Sequence, residues 1–177
     1  MKLIRALILA CITMLCASLD AKLITQIHNH YLAGYDWDNE NSFGVSLGYL
    51  FDDVHKLELE LTINGFDTEK PGFEVDADMF TYMLNYQYYF KQIENWSFYA
   101  GAGLGIGDAE FFSAPGVRAT DQVLTGQVGL GVDYNLSEDW LIGLGGRLQY
   151  FDDLKHNDFS LSGGTGGVIE LSVGYQF

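Results

Sequence analysis

The last nine residues of the chain alternate strictly between apolar and small or polar side chains. Apolar residues stand at 169, 171, 173, 175 and 177, and Glu170, Ser172, Gly174 and Gln176 stand between them. A repeat of two residues places alternate side chains on opposite faces of a β-strand, so one face is apolar and the other is polar. The segment is therefore predicted to be a strand with one apolar face, and it ends on an aromatic residue.

The same alternation occurs in seven earlier segments. The eight predicted strands cover residues 23–37, 42–51, 56–66, 79–91, 96–107, 123–136, 140–151 and 168–177. Repeated alternating segments of about ten residues separated by turns are typical of transmembrane β-barrels, which have an even number of strands in single-chain bacterial examples. The sequence therefore predicts an all-β fold, an eight-stranded antiparallel up-and-down transmembrane β-barrel.

The predicted connections differ in length at the two ends of the barrel. Those after the second, fourth and sixth strands are short, whereas those after the third, fifth and seventh span about 67–78, 108–122 and 152–166. The connection after the first strand, at 38–41, lies at the same end as these long connections but is short. In barrels of this type the short turns face the periplasm and the long loops face the outside, so we expect the long loops to be extracellular.

Alternation alone does not show which face points outward, because a soluble lipocalin-like barrel would bury the apolar face. Two features favour the membrane. Aromatic residues lie near the strand ends and aliphatic residues lie between them, as expected for two membrane interfaces. The polar face is rich in glycine, which suits a narrow interior better than a solvated exterior. The predicted interface girdle includes Trp96, Trp140, Phe90, Tyr134 and Tyr150.

The N-terminus has the pattern of an export signal. Lys2 and Arg5 precede an apolar run at 6–17 that is too short to cross a bilayer as a helix. We expect residues 1–21 to be a cleaved signal peptide and 22–177 to be the barrel; an acylated Cys16 and an uncleaved anchor are the alternatives. Both cysteines, Cys11 and Cys16, lie within this signal. The formal net charge of −15 makes nucleic acid an unfavourable partner.

With these features, the run Ala100-Gly101-Ala102-Gly103-Leu104-Gly105-Ile106-Gly107 and the terminal Tyr175-Gln176-Phe177, the chain resembles the small outer-membrane β-barrel domain family. That group includes opacity-type adhesins and the membrane domain of OmpA-like proteins. The resemblance implies a bacterial outer-membrane location. It also implies that Phe177, with Tyr175 and Val173, is read by the outer-membrane assembly machinery, although Phe177 as a simple interface anchor is an alternative.

The polar face carries charges that the barrel would enclose. These are Glu58, Glu60, Asp133, Arg147 and Glu170. Arg147 and Glu170 lie at similar heights on neighbouring predicted strands, so we expect them to pair, with His28 as a further neutralising group. An unpaired charge in a narrow lumen is costly. Such a network is either a polar plug or the gate of a narrow channel.

Two other sequence patterns are candidates for a metal site and a catalytic site. His28 and His30 share one strand face, but no third metal ligand is evident from the sequence, so no metal and no cofactor are expected. A lipid-modifying hydrolase would need a serine near a histidine, and His156 precedes Ser160 and Ser162 in a predicted loop without a recognisable motif. We therefore do not expect an enzyme.

The predicted long loops are acidic, so divalent cations and lipopolysaccharide are candidate partners there. A rigid barrel that presents loops is well suited to recognition. The function predicted from the sequence is a structural or adhesion-like surface role in the outer membrane. The alternatives are a narrow gated channel and an outer-membrane lipid hydrolase.

Overall fold

Eight antiparallel strands close into a barrel in the computed structural model, which describes residues 21–33, 41–70, 73–113, 117–156, 159–161 and 163–177. The strands are β1 (Lys22–Ala33), β2 (Asn41–Phe51), β3 (His55–Lys70), β4 (Phe73–Ile93), β5 (Trp96–Ser113), β6 (Val117–Asn135), β7 (Trp140–Phe151) and β10 (Gly164–Gln176). Two short strands, β8 (Leu154–His156) and β9 (Phe159–Leu161), form a separate hairpin between β7 and β10. The predicted fold class is confirmed.

Each strand pairs with its neighbours in sequence, and the first and last strands close the barrel. Ile24 lies opposite Gln176 and Ala33 lies opposite Gly167 in this closing pair. Closure leaves no open sheet edge, which is the condition for placing strands in lipid. Among the described residues, no helix is long and apolar enough to cross a bilayer.

The alternation of the sequence becomes an alternation of burial along the strands. On β3, Leu59 and Leu61 are 60% and 50% exposed, whereas Glu58 and Glu60, which alternate with them, are almost fully buried. The apolar face is thus outside and the polar face lines the lumen. This is the reverse of a soluble barrel, and it is the arrangement that hydrocarbon surroundings require.

The turns at one end of the barrel are tight. Asp52 and Asp53, between β2 and β3, have φ angles of 58° and 52°, in the left-handed region that aspartate tolerates better than most residues. Glu94, between β4 and β5, has a φ of 52°. The turn after β6 is held by Ser137, whose Oγ accepts hydrogen bonds from the backbone N–H groups of Asp139 and Trp140 at 3.2 and 3.1 Å.

The opposite end differs from the prediction. The segments predicted as loops at 67–78 and 108–122 are continued strands, paired as far as Lys70 with Phe73 and Ser113 with Val117. A strand that has left the membrane no longer needs one apolar face, so its alternation fades although its backbone pairing persists. The segment at 152–166 contains the hairpin β8–β9 and the start of β10.

Two other predictions concern residues that are only partly described. The predicted signal peptide, with its two cysteines, lies outside the described residues except for Ala21, so it stays a prediction. The first strand was predicted to reach residue 37, whereas β1 is described to Ala33 and residues 34–40 lie outside the described part of the chain.

Candidate functional site

The inward polar face brings eight titratable side chains together inside the barrel. We call them the lumen cluster: His28, His30, Lys56, Glu58, Glu60, Asp133, Arg147 and Glu170. They come from β1, β3, β6, β7 and β10, and each lies on the strand face that the two-residue repeat turns inward. The five charged residues predicted from the sequence are all members.

Arg147 lies at the centre of this cluster and spans the lumen. Its strand, β7, is four strands away from β3 in either direction around the barrel, so the two strands are opposite each other. Arg147 nevertheless donates two hydrogen bonds to Glu60 on β3, at 3.0 and 3.1 Å. It also lies 2.6 Å from a carboxylate oxygen of Glu170 and donates to the Gln127 side chain at 3.1 Å. A paired guanidinium and carboxylate therefore connect opposite walls, in the two-bond geometry that arginine favours.

The two histidines surround the Glu170 carboxylate. His28 places Nδ1 3.0 Å from Glu170 Oε1 and Nε2 2.7 Å from Ser46 Oγ. His30 Nε2 lies 3.4 Å from Glu170 Oε2 and 3.7 Å from Glu60 Oε1, and it is also in close contact with Arg147 Nη2. The sequence offered no third metal ligand for this pair, but the tertiary structure brings Glu170 to them. The three ligand atoms lie within 4.8 Å of one another.

The remaining members form a second group. Lys56 Nζ lies 2.5 Å from Glu58 and also donates to the Gln26 side chain. Asp133 accepts a hydrogen bond from the Tyr89 hydroxyl at 2.7 Å. Asp133 and Glu58 are thus inside the lumen, but Asp133 pairs with Tyr89 and Glu58 pairs with Lys56 rather than with Arg147.

Lys56 is the member that sequence reasoning missed. Its side chain is 1% exposed, so it is among the most deeply buried in the described part of the chain. The signal was present, because Lys56 has the same parity on β3 as Glu58 and Glu60. Parity alone did not predict its burial, because a lysine beside a turn is usually solvated.

Glycines on the inner face provide the space that these side chains occupy. A Cβ atom on Gly48 would overlap the Lys56 side chain, and one on Gly131 would overlap the Tyr99 ring. A Cβ on Gly129 would lie 2.8 Å from Arg147 Cβ. The glycine-rich polar face is therefore the complement of the bulky polar groups that face it.

Ser46 and two members of the lumen cluster are linked in the same order as the catalytic groups of nucleophilic hydrolases. Ser46, His28 and Glu170 are linked as hydroxyl, imidazole and carboxylate. Ser46 is 8% exposed, however, and the cavity beside the cluster is lined by Glu58, Tyr99 and neighbouring residues rather than by Ser46. This cavity therefore does not place a substrate beside the Ser46 hydroxyl.

The hairpin β8–β9 contains part of the other candidate hydrolase site. His156 pairs with Phe159 and Ser160 pairs with Lys155, so His156 and Ser160 are not opposite each other in the hairpin register. Ser162 lies outside the described residues.

The predicted girdle residues lie near the two ends of the barrel wall. Trp96 and Trp140 begin β5 and β7 at the tight-turn end, and both are about half exposed. Tyr134 lies beside Trp96 with ring centroids 4.6 Å apart. The other two, Phe90 near the end of β4 and Tyr150 near the far end of β7, are also about half exposed.

The C-terminal aromatic residues form a chain of contacts on the outer surface. The Trp140 ring meets Tyr175 at 5.1 Å, and Tyr175 meets Phe177 at 4.8 Å, both edge-on. Phe177 is 71% exposed, and its backbone N–H donates to the Leu23 carbonyl at 2.8 Å. Val173 lies further along the same outward face and is also exposed.

A family model agrees with the closed eight-stranded barrel, its outer apolar belt and its polar lumen. Residues 8–177 match the model of the outer membrane protein beta-barrel domain. The chain belongs to this family. Its apolar belt is therefore the surface embedded in the lipid bilayer, and the family indicates a location in the bacterial outer membrane.

Solved structures of outer-membrane barrels are similar to the chain in fold. Neisserial surface protein A matches with a TM-score of 0.64 and 17% identity, over 89% of this chain and 97% of that one. The N-terminal β-barrel domain of Pseudomonas aeruginosa OprF matches with a TM-score of 0.60 and 18% identity, over 88% and 97%. Ail, the attachment invasion locus protein of Yersinia pestis, matches with a TM-score of 0.54 and 22% identity, over 89% and 97%. None of the curated protein sequences matches the chain.

Proposed function

We propose that this outer-membrane barrel acts in surface interaction, through a sheet that β3, β4, β5 and β6 project beyond the membrane. The observation that supports this role is the length of these four strands compared with the apolar belt. Among the side chains whose exposure the structure describes, the last strongly exposed apolar residues of the belt on these strands are Ile63, Phe80, Ile106 and Leu124. Each strand continues for seven residues past that point, to Lys70, Phe73, Ser113 and Val117.

The projection is large enough to serve as a binding platform. At about 3.3 Å per residue, seven residues extend roughly 20 Å along the strand. All four strands remain paired there, so the platform is a continuous sheet rather than a set of separate loops. We expect this end to be extracellular and the tight-turn end to be periplasmic, as in other barrels with one short-turn end.

The composition of this sheet indicates the class of partner. Residues 66–70, 73–78, 108–113 and 117–122 contain eight acidic residues and two basic ones. The Ail structure contains the heparin analogue sucrose octasulfate, which is a polyanion. A sheet with a net charge of −6 repels polyanions, so the partner proposed for this chain is a basic protein surface. A divalent cation that bridges the acidic residues to lipopolysaccharide is the alternative.

The lumen cluster supports the same role, because it connects the walls instead of leaving a passage. The Arg147–Glu60 contact crosses the barrel, and side chains fill the space beside the inward glycines. We propose that the cluster is a plug that keeps the frame rigid while the projecting sheet binds its partner.

The experiment compares two sets of charge-neutralising variants displayed on a bacterial host. The first set replaces Asp67, Glu69, Asp76 and Asp78 with the matching amides. The control set replaces Asp52, Glu94, Glu138 and Asp139 at the tight-turn end, and it removes the same charge. Cells carrying the first set should lose binding to a surface coated with polylysine, whereas cells carrying the control set should keep it. Equal binding by both sets would refute the proposal, and binding of lipopolysaccharide by the purified protein that EDTA abolishes would favour the cation-bridged alternative.

A second candidate is a narrow gated channel, and one observation favours it. A cavity lies beside Arg147 and Glu170, and the side chains of these two residues keep 11% and 10% exposure. If Arg147 and Glu170 gate a channel, Arg147→Ala will raise single-channel conductance in planar bilayers. An unchanged current would count against the channel and for the plug.

We also propose that Phe177, Tyr175 and Val173 are recognised by the outer-membrane assembly machinery. Their exposure on one outward strip at the end of β10 supports this role, because a partner can reach all three.

A further inference from the structure

We propose that the lumen binds one divalent transition-metal ion of the Zn²⁺ type through His28, His30 and Glu170. This site is independent of the proposed surface role. The observation behind it is the convergence of two imidazoles and one carboxylate, all buried, with their ligand atoms within 4.8 Å of one another. Two histidines and a glutamate are an established ligand set for zinc.

The spacing of these atoms is close to that of a coordination sphere. Ligands bonded to tetrahedral zinc at about 2.0–2.2 Å lie roughly 3.3–3.6 Å apart. His30 Nε2 and Glu170 Oε2 are 3.4 Å apart, and His28 Nδ1 and Glu170 Oε1 are 3.0 Å apart. With the imidazole nitrogens drawn closer together, the three side chains would supply three of the four positions around the metal and leave the fourth to water.

His28 is oriented for ligation by the contact of its second ring nitrogen. Ser46 Oγ lies 2.7 Å from Nε2 of His28, so it can accept the proton of that nitrogen and leave Nδ1 free to bind the metal. Such an outer partner fixes the tautomer of a metal-bound histidine. His30 Nε2 faces Arg147, which can only donate, so this nitrogen presents a lone pair to the cluster.

Arg147 competes with the metal for both Glu170 and His30, because its Nη2 contacts Glu170 Oε2 and His30 Nε2. Its Nη1 keeps hydrogen bonds to Glu60 and Gln127 when those two contacts are given up. The guanidinium can therefore remain anchored on the opposite wall while a metal ion occupies the position between the histidines and Glu170.

The charge of the lumen also favours a divalent cation. The lumen cluster contains four carboxylates, Lys56 and Arg147 besides the two histidines. With both histidines neutral, their formal sum is −2. A charge of that size inside a narrow lumen is costly, and one divalent ion balances it. The imidazole ligands select against Ca²⁺ and Mg²⁺, which prefer oxygen.

The test measures Zn²⁺ binding to the protein purified in detergent without a polyhistidine tag. Isothermal titration calorimetry should show one Zn²⁺ per chain. His28→Gln, His30→Gln and Glu170→Gln should each weaken binding by at least about 100-fold, and Ser46→Ala by about 10-fold or more. The control is His55→Gln, because His55 lies outside the lumen and contacts the Tyr86 hydroxyl at 2.6 Å. The control should bind zinc as the unmodified protein does.

Two outcomes of the titration overturn the proposal: no stoichiometric binding by the unmodified protein, or unchanged binding by both lumen histidine variants. Heat-modifiable migration on a gel establishes that each variant is folded. If the histidine variants do not fold, the unmodified protein decides the question through its Co²⁺ complex. Its X-ray absorption spectrum should show two imidazole nitrogens, and a shell of oxygen alone would reject the site.

Arg147→Gln provides a further test in the opposite direction. It removes a cation that competes for Glu170, so Zn²⁺ affinity should rise by about 10-fold or more. Weaker binding by the folded variant would show that the three-ligand arrangement is wrong.

Discussion

Lys56 gives the sharpest test of how the lumen cluster supports the barrel. We predict that Lys56→Met destabilises the fold by about 3–5 kcal/mol, the usual cost of leaving one member of a buried ion pair without its partner. The methionine keeps most of the volume of the lysine stem but removes the charge. Glu58 and its neighbours Glu60 and Asp133 would then face one another with less compensation, in a lumen whose formal charge changes from −2 to −3.

The structure gives the size of the electrostatic contribution. Lys56 Nζ and the Glu58 carboxylate are 2.5 Å apart. At an effective dielectric constant of about 20, two unit charges at that distance attract by about 7 kcal/mol. Desolvation of both charges offsets part of this attraction, which leaves a net loss in the stated range. With a urea m-value of about 2 kcal/mol/M, the unfolding midpoint should fall by about 1.5–2.5 M.

The assay is urea unfolding of the protein in lipid vesicles, followed by tryptophan fluorescence and heat-modifiable migration. Lys22→Met is the matched control, because Lys22 and Asp53 form a 3.1 Å pair whose side chains are 46% and 62% exposed. It should cost less than about 1 kcal/mol. The double variant Lys56→Met with Glu58→Gln should regain most of the lost stability. If Lys56→Met costs no more than the control, or if the double variant is as unstable as the sum of its parts, the reasoning about the lumen is refuted.

Three further predictions concern the glycines, the girdle and the C-terminus. Gly131→Leu should cost about 1–3 kcal/mol by crowding the lumen, whereas Gly146→Leu, which meets open space, should be nearly neutral in the same unfolding assay. A protein that keeps Trp96 as its single tryptophan should be quenched most by lipids brominated near the headgroup, and stronger quenching by mid-chain bromine would contradict the interface position. Phe177→Ala should lower the amount of folded protein in the outer membrane, measured by heat-modifiable migration, whereas Phe90→Ala should not. Equal losses in the two variants would show that Phe177 acts only as an interface anchor.

Much of the barrel could be predicted because its two surroundings impose a repeat of two on the sequence. The segment Leu57, Glu58, Leu59, Glu60 shows this most clearly, since each leucine faces lipid and each glutamate faces the lumen. Where lipid no longer touches the wall, that constraint ends. The extensions of β3 to β6 were therefore predicted as loops, although their backbones remain paired.

Most members of the lumen cluster and one of its ion pairs could be predicted, whereas Lys56 and the contacts across the lumen could not. Parity alone placed Arg147 and Glu170 inside, and their similar height on neighbouring strands suggested their contact. The contact between Arg147 and Glu60 depends on barrel circumference, because strands far apart in the sequence face each other only after closure. The same closure brings Glu170 on the last strand to the two histidines on the first.

The sequence by itself determined the strand number, the polarity of each face and the family, because alternation, glycine and aromatic placement are local properties of each strand. Only the tertiary structure decided which charges meet across the lumen, how far the paired strands extend past the apolar belt and which carboxylate lies beside the two histidines. Those properties depend on closure and register, which bring distant residues to within a few ångströms of each other.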